Sequence, residues 1–186
     1  VNIEIDFDIL ILSEIWTCNI DFYAHIFDNY TFIYDIPVGT MVGGVAIYVH
    51  NSITFKRFMP ISTLSTVHLA GLNLESIWLE VKFNNEPIII GGLYRHPINN
   101  IPVFTNYLEE IMNNSNLKNK TIIISGDLNI DFCKYDKQRD ISNYLDMILL
   151  NGFKPLILSP TRITQTSSTL IDHIYVRIAD KSQVSF

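Results

Sequence analysis

The chain has 186 residues, 48% of them hydrophobic and 12% aromatic, enough for one domain with a large core, which excludes a disordered or fibrous polypeptide. Its 13 Lys+Arg against 19 Asp+Glu leave a net charge of −6, so there is no broad basic footprint for nucleic acid, although carboxylates gathered round a divalent cation also lower that sum. Glu14, Glu80, Arg95 and Asp127 interrupt the apolar stretches before a membrane helix is reached, and two cysteines, Cys18 and Cys133, are too few for a disulfide scaffold and read as reduced intracellular thiols.

In chain order, Asp8-Ile-Leu-Ile-Leu-Ser13 is a short apolar run expected to form a strand buried on both faces, and Tyr30 to Tyr34 is a second strand. Gly43-Gly44 leads into a β-branched and aromatic strand, Val45 to Val49. Ser76 to Phe83 alternates apolar and polar residues, Asn84-Asn85 favours a turn, and Pro87-Ile-Ile-Ile-Gly91 follows, which predicts a hairpin. Val103, Phe104, Tyr107, Leu108 and Ile111 recur at helical spacing after Pro102. Thr121 to Ser125 is another buried strand. Ile141, Leu145, Ile148 and Leu149 mark a second helix, stopped by Asn151-Gly152, and Ile171 to Val176 is a last strand. Gln183 to Phe186 reads as the opening of a further strand. Strands interleaved with helices, plus hairpins, predict an α/β sandwich with mixed sheets.

Four segments place polar residues at the ends of these strands, where active sites of layered α/β folds sit. Leu12-Ser-Glu14-Ile-Trp16 sets a carboxylate after a buried strand, fit to cap a turn or to bind a cation. Gly91-Gly-Leu-Tyr94-Arg95-His96-Pro97 offers a phenol donor and a guanidinium able to meet a phosphate, or an ordinary strand edge. Ser125-Gly126-Asp127-Leu-Asn129-Ile-Asp131 is the strongest: Gly126 permits a tight turn, and in an extended chain Asp127 and Asn129 point the same way while Leu128 enters the core. A carboxylate beside an amide can hold an attacking water and a phosphate oxygen. An EF-hand reading fails, because Phe132 stands where the loop needs Gly and Gln138 where it needs Glu.

The fourth segment runs from Ser159-Pro-Thr161-Arg162-Ile-Thr164 to Ser168-Thr-Leu-Ile-Asp172-His173-Ile-Tyr175. Asp172 and His173 are neighbours on a strand, so they face opposite sides and cannot form one relay. There is no G-x-S-x-G elbow, and the glycines at 39, 43 and 44 lack the Lys-Ser/Thr of a phosphate loop. His25, His50 and His68 have no metal-ligand spacing.

Taken together and in this order, the blocks LSEIW, GGVAIYV, ESIWLEV, GGLYRHP, ISGDLNID and SPTRIT…STLIDHIYV resemble the endonuclease/exonuclease/phosphatase family, and within it the apurinic-type endonuclease domain of non-LTR retrotransposons. The resemblance spans about residues 8 to 180. It implies a four-layer α/β sandwich of two packed mixed β-sheets flanked by helices, a single domain over residues 1–186. It implies that Glu14 binds Mg2+ (Mn2+ as substitute), that Tyr94 contacts the scissile phosphate, that Asp127 orients or deprotonates the attacking water, that Asn129 holds the phosphate and that Asp172 buttresses a catalytic histidine. Arg95, Thr161 and Arg162 are further candidate contacts to phosphate or DNA. The partners implied are DNA and a downstream reverse transcriptase of the same polyprotein, in the nucleus and without a membrane.

Family members also open with a strand carrying a metal-binding Asn and close with a Ser-Asp-His block, neither of which is found in these residues; Asn2 lies too close to Glu14 to serve. The sequence therefore predicts a fragment, inactive on its own. A phosphatase or phosphodiesterase of the same superfamily, which the acidic balance suits, and a non-catalytic remnant are the alternative readings.

Overall fold

The computed structural model describes residues 7–16, 20–37, 42–59, 74–84 and 86–179. The expected strand opening at Gln183–Phe186, like Asn2, Cys18, His68 and Asn85, lies outside them. Two sheets carry the molecule. The smaller comprises β1 (Ile9–Ser13), β2 (Tyr30–Asp35) and β3 (Val45–His50), antiparallel in the order β1-β3-β2. The larger comprises β4 (Phe55–Arg57), β5 (Leu74–Phe83), β6 (Glu86–Arg95), β7 (Thr121–Asp127), β8 (Lys154–Pro155) and β11 (Asp172–Arg177), ordered β4-β5-β6-β7-β11-β8. Only β6 and β7 pair in parallel among the described strands, with α2 (Ile101–Met112) in their crossover. A small hairpin of β9 (Arg162–Ile163) and β10 (Ser168–Thr169) projects between β8 and β11 in sequence.

The period-2 pattern dictates the layers. On β5, Ile77, Leu79 and Val81 meet Ile33, Val45, Ile47 and Val49 of the small sheet, with Ile90 and Tyr94 of β6 in the same cluster. Trp78 points the other way, with Ile89, Leu93, Ile122 and Ile124, against α2 and α3 (Arg139–Leu150). On the outer face of the small sheet, Tyr48 donates to the Tyr23 carbonyl of α1 (Ile20–Ala24) at 2.6 Å. Helix, sheet, sheet and helices make four layers, as the sequence predicts. Each fully buried Leu or Ile contributes about 1.5–3 kcal/mol relative to exposure.

The helix boundaries follow local chemistry. Asn100 accepts the Val103 N–H at 3.3 Å with Pro102 in the first turn of α2, and Gly152 takes a φ of +76° just past α3. One strand expectation needs correction. β1 is half-buried along its whole length rather than buried on both faces, because it has only β3 as a neighbour among the described strands. β6 runs through Gly91 to Arg95, with Tyr94 at its end as expected. Gly91 is there for packing: a Cβ would lie 2.6 Å from Cζ3 of Trp78.

Candidate active site

β1, β6 and β7 bring their C-terminal ends to one side of the molecule, and β11 begins there. Glu14 follows β1 directly; its N–H donates to the Gly44 carbonyl at 2.8 Å, and its Oε1 accepts the Tyr94 hydroxyl of β6 at 2.7 Å. Asp127 ends β7, and its N–H donates to Ser13 Oγ at 3.2 Å, tying the two sheets together at this edge. Asp172 opens β11 directly opposite Asp127 in the antiparallel ladder. A cleft of about 350 Å³ is lined by Ser13, Glu14, Gly126, Asp127 and Asp172 among others. Gly126 lies within β7 rather than at a turn. It lets this strand pass the Leu93 backbone, since a Cβ would come within 1.7 Å of the Leu93 carbonyl oxygen.

Asn129 is not extended beside Asp127. It takes a φ of +51°, which turns its N–H back onto Asp127 Oδ1 at 2.9 Å, while its side-chain amide donates to the Arg95 carbonyl at 2.9 Å. The link to the Asp127 carboxylate thus comes from the Asn129 backbone N–H through a local turn, while the side-chain amide is spent on Arg95.

Among the described residues, no Lys, Arg or His side chain forms an ion pair within 4.0 Å with the carboxylates of Glu14, Asp127 or Asp172. Burial pushes the Asp127 carboxyl up to about 6, and the charges of Asp172 and Glu14 add to the rise; the Asn129 N–H and Arg95 partly oppose it. Tyr94 is pushed above the usual phenol range by burial, by its bond to Glu14 and by the carboxylates of Glu14, Asp127 and Glu75, so it stays a hydrogen-bond donor. An oxygen-only, negatively charged set suits a hard divalent cation such as Mg2+. No three His, Cys, Asp or Glu side chains form a ready-made cage among the described residues. Mg2+ often takes only one or two carboxylates, and Glu14 with Asp127 or Asp172 are the residues able to hold it.

The other candidates fall elsewhere. Arg95 was expected at a phosphate, but it is 1% exposed and points to the opposite face of β6 from Tyr94. Its guanidinium donates to the carbonyls of Leu128 (2.5 Å), Asn99 (2.6 Å) and Asn129 (2.7 Å) and lies over the Phe104 ring. It shapes the Asp127–Asn129 turn from behind and reaches the cleft only through its charge, which lowers the Asp127 carboxyl somewhat. Thr161 accepts the N–H groups of Ile171 and Asp172 at 3.4 and 3.3 Å, so it braces the entry to β11. Arg162 is exposed on the β9–β10 hairpin. His173 turns into the core, away from Asp172, with Nε2 bonded to the Ile130 carbonyl at 2.8 Å and its ring stacked on Tyr175. Two residues the sequence reading overlooked are Ser13 and Glu75. Glu75 was within reach: a two-residue turn at 84–85 pairs Phe83 with Glu86 and, counting back, Glu75 with Tyr94.

A family model described as the endonuclease/exonuclease/phosphatase family matches residues 3–183. The chain belongs to this family. Family members are hydrolases, nucleases and phosphatases by name. The chain is similar to the solved structure of humanized D. rerio TDP2 (15% identity, 94% of this chain and 71% of that chain, TM-score 0.67). It is similar also to the endonuclease domain of TRAS1, a telomere-specific non-LTR retrotransposon (13% identity, 90% and 71%, TM-score 0.66). A third likeness is to a Bacteroides thetaiotaomicron mannosyl-6-phosphatase (17% identity, 92% and 72%, TM-score 0.58). At these identities the likeness concerns the fold. No curated protein matches the sequence.

Proposed function

We propose that this chain is a Mg2+-dependent DNA endonuclease domain of the non-LTR retrotransposon kind, which nicks target DNA and leaves a 3′-hydroxyl to prime reverse transcription. The observation that carries the reading is the meeting of Glu14, Asp127 and Asp172 at the strand ends with the Tyr94 phenol between the sheets and no cation beside them among the described residues. Glu14, with Asp127 or Asp172, holds the divalent cation (Mg2+, or Mn2+ in its place), whose chemistry there is to offset negative charge developing on the phosphate. With the Glu14 carboxylate turned to the cation, the single Tyr94 O–H swings from Glu14 to a non-bridging phosphate oxygen, and the second N–H of the Asn129 amide, the one not given to the Arg95 carbonyl, does the same. Asp127, whose carboxyl is raised by burial in the cation-free chain, takes the proton of the attacking water. Water oxygen bonds to phosphorus as its proton passes to Asp127, the bond to the 3′ oxygen breaks, and that oxygen takes a proton from solvent to become the 3′-hydroxyl while the phosphate stays on the 5′ end of the other fragment. The resemblance gives Asp172 a histidine to orient; His173 faces the core and does not take that part.

Thr161, which accepts the Asp172 N–H, and Arg162, exposed on the hairpin, serve as DNA contacts, and the retrotransposon reading brings a reverse transcriptase partner and a nuclear location with it. The SPTRIT…STLIDHIYV block favours DNA over a phosphomonoester. The test is the protein of the full open frame containing this chain, given supercoiled plasmid and a sugar phosphate in parallel with Mg2+. Nicked plasmid bearing 3′-hydroxyl ends is expected. Phosphate release from the sugar with intact plasmid contradicts it and favours the phosphatase reading.

A further inference from the structure

Glu14 holds an uncommon backbone. Its φ is +57°, Trp16 two residues on has +47°, and Ile15 between them is buried. Non-glycine residues keep such angles only where their surroundings over-determine them. Here the surroundings are two carbonyls: Glu14 N–H donates to Gly44 at 2.8 Å and Trp16 N–H to Gly43 at 3.1 Å. The Gly43–Gly44 backbone is anchored in its turn. Glu75, 5% exposed, accepts the Gly44 N–H on Oε2 at 3.3 Å. The same carboxylate faces His96 Nε2 at 3.2 and 3.3 Å, where the ring nitrogen must be the donor because a carboxylate only accepts.

The pair also reaches the phenol. Glu75 lies opposite Tyr94 in the β5–β6 ladder, and the His96 ring stands edge-on to the Tyr94 ring at 4.9 Å. Gly43 is the residue this closeness demands: its φ is +111°, and a Cβ would come within 2.9 Å of the His96 ring and 3.1 Å of Glu75 Oε2. The contacts close a circuit from His96 to Glu75, to Gly44, to Glu14, to Tyr94 and back to His96.

From this circuit we infer that Glu75 and His96 are positioning residues: the buried pair fixes the Gly43–Gly44 backbone and through it the direction of the Glu14 carboxylate. The inference rests on the proposed cation role of Glu14, but its mechanical half is testable without any cation. Partners that orient a metal ligand change affinity by about 10- to 100-fold when removed.

The experiment measures amide hydrogen exchange at Glu14 and Trp16 in the cation-free full chain, and Mn2+ affinity by the resonance of free Mn2+. Glu75→Leu keeps bulk and removes both bonds. It should speed exchange at those two amides at least about tenfold, leave Ile33 and Val49 within about twofold, and weaken Mn2+ binding about tenfold. Glu75→Gln retains an acceptor for Gly44 and should stay within about threefold of the parent on both readouts. Should Glu75→Leu not fold, His96→Phe keeps the ring and should shift the same two amides. Folded Glu75→Leu with unchanged exchange at Glu14 and Trp16, or with a uniform rise across the small sheet, overturns the inference. So does failure of both variants to fold, which makes the pair structural only, or altered exchange with unaltered Mn2+ affinity. That last outcome counts only where the parent binds Mn2+; if Glu75→Leu speeds exchange at Glu14 and Trp16 and the parent itself binds no Mn2+, the brace stands and the cation reading falls instead.

Discussion

The helix side of the large sheet and the cleft at its strand ends treat polar side chains in opposite ways. On the helix side, Arg95 meets three carbonyls, His173 bonds to Ile130, and Asp131 accepts the N–H groups of Cys133 and Leu170 and pairs with Lys134. Each of these three side chains finds partners, as burial requires, although the Trp78 indole N–H in the same layer has no hydrogen-bond partner. In the cleft, Asp127 and Asp172 stand opposite each other on paired strands and Glu14 is near enough to raise the Asp127 carboxyl, with no basic partner among the described residues. Like charges placed opposite on a ladder destabilise it. The contrast teaches that the first set is matched within the fold, whereas the second gathers like charges at one edge, the feature on which the proposed cation role rests.

Breaking the matched region should cost most in stability. Arg95→Met leaves three buried carbonyls without a donor, and the expected loss is about 3–5 kcal/mol in urea unfolding, the range for removing one partner of a buried charged network. A loss below about 1 kcal/mol returns Arg95 to the list of surface contacts.

The pH dependence separates the regions by sign. Burial pushes His173 down to about 4, below its ordinary value near 6.5, so its contribution to stability is whole above about 6.5 and is lost as the pH falls through 4. That is about 3 kcal/mol if the full shift is expressed. Asp127 runs the other way. Its carboxyl near 6 exceeds the unfolded value of about 4, so its contribution is whole below about 4 and is lost as the pH rises through 6. Melting curves from pH 4 to 8 should show acid weakening that His173→Gln flattens, and a smaller neutral-side weakening that Asp127→Asn removes. A parent profile with neither slope contradicts both assignments.

In the cleft, Asp127→Asn should lower nicking by at least about 10²-fold, the lower range for a positioned base, while the melting temperature at pH 7 stays level or rises because a repulsive carboxylate is gone. Early melting with retained activity reverses the assignment. The smallest effect belongs to the hairpin. Arg162→Ala should leave stability within about 0.5 kcal/mol and reduce the salt dependence of DNA binding by about one phosphate contact. An unchanged salt slope takes Arg162 off the DNA.

The matched region was the harder one to read from sequence. β3, β5, β6 and β7 announce themselves as apolar or alternating runs, and α2 and α3 carry helical spacing with Pro102 and Gly152 at their ends. β8, β9 and β10 have two residues each and α1 five, too short for periodicity to register. Strand alternation separates Asp172 from His173 correctly, but only the β7–β11 register sets Asp172 opposite Asp127. Arg95 misled because its use depends on carbonyls 33 and 34 residues away, which no local pattern announces.

The most direct test of the central claim, that the strand-end carboxylates answer to a divalent cation during phosphodiester hydrolysis, is plasmid nicking by the full open-frame protein and its Glu14→Gln variant, with Mg2+ titrated and then chelated. The account predicts nicking that rises with Mg2+, stops on chelation, and in Glu14→Gln falls sharply or needs far more Mg2+. Undiminished nicking in excess chelator, or a Glu14→Gln variant with the parent's Mg2+ dependence, would contradict it.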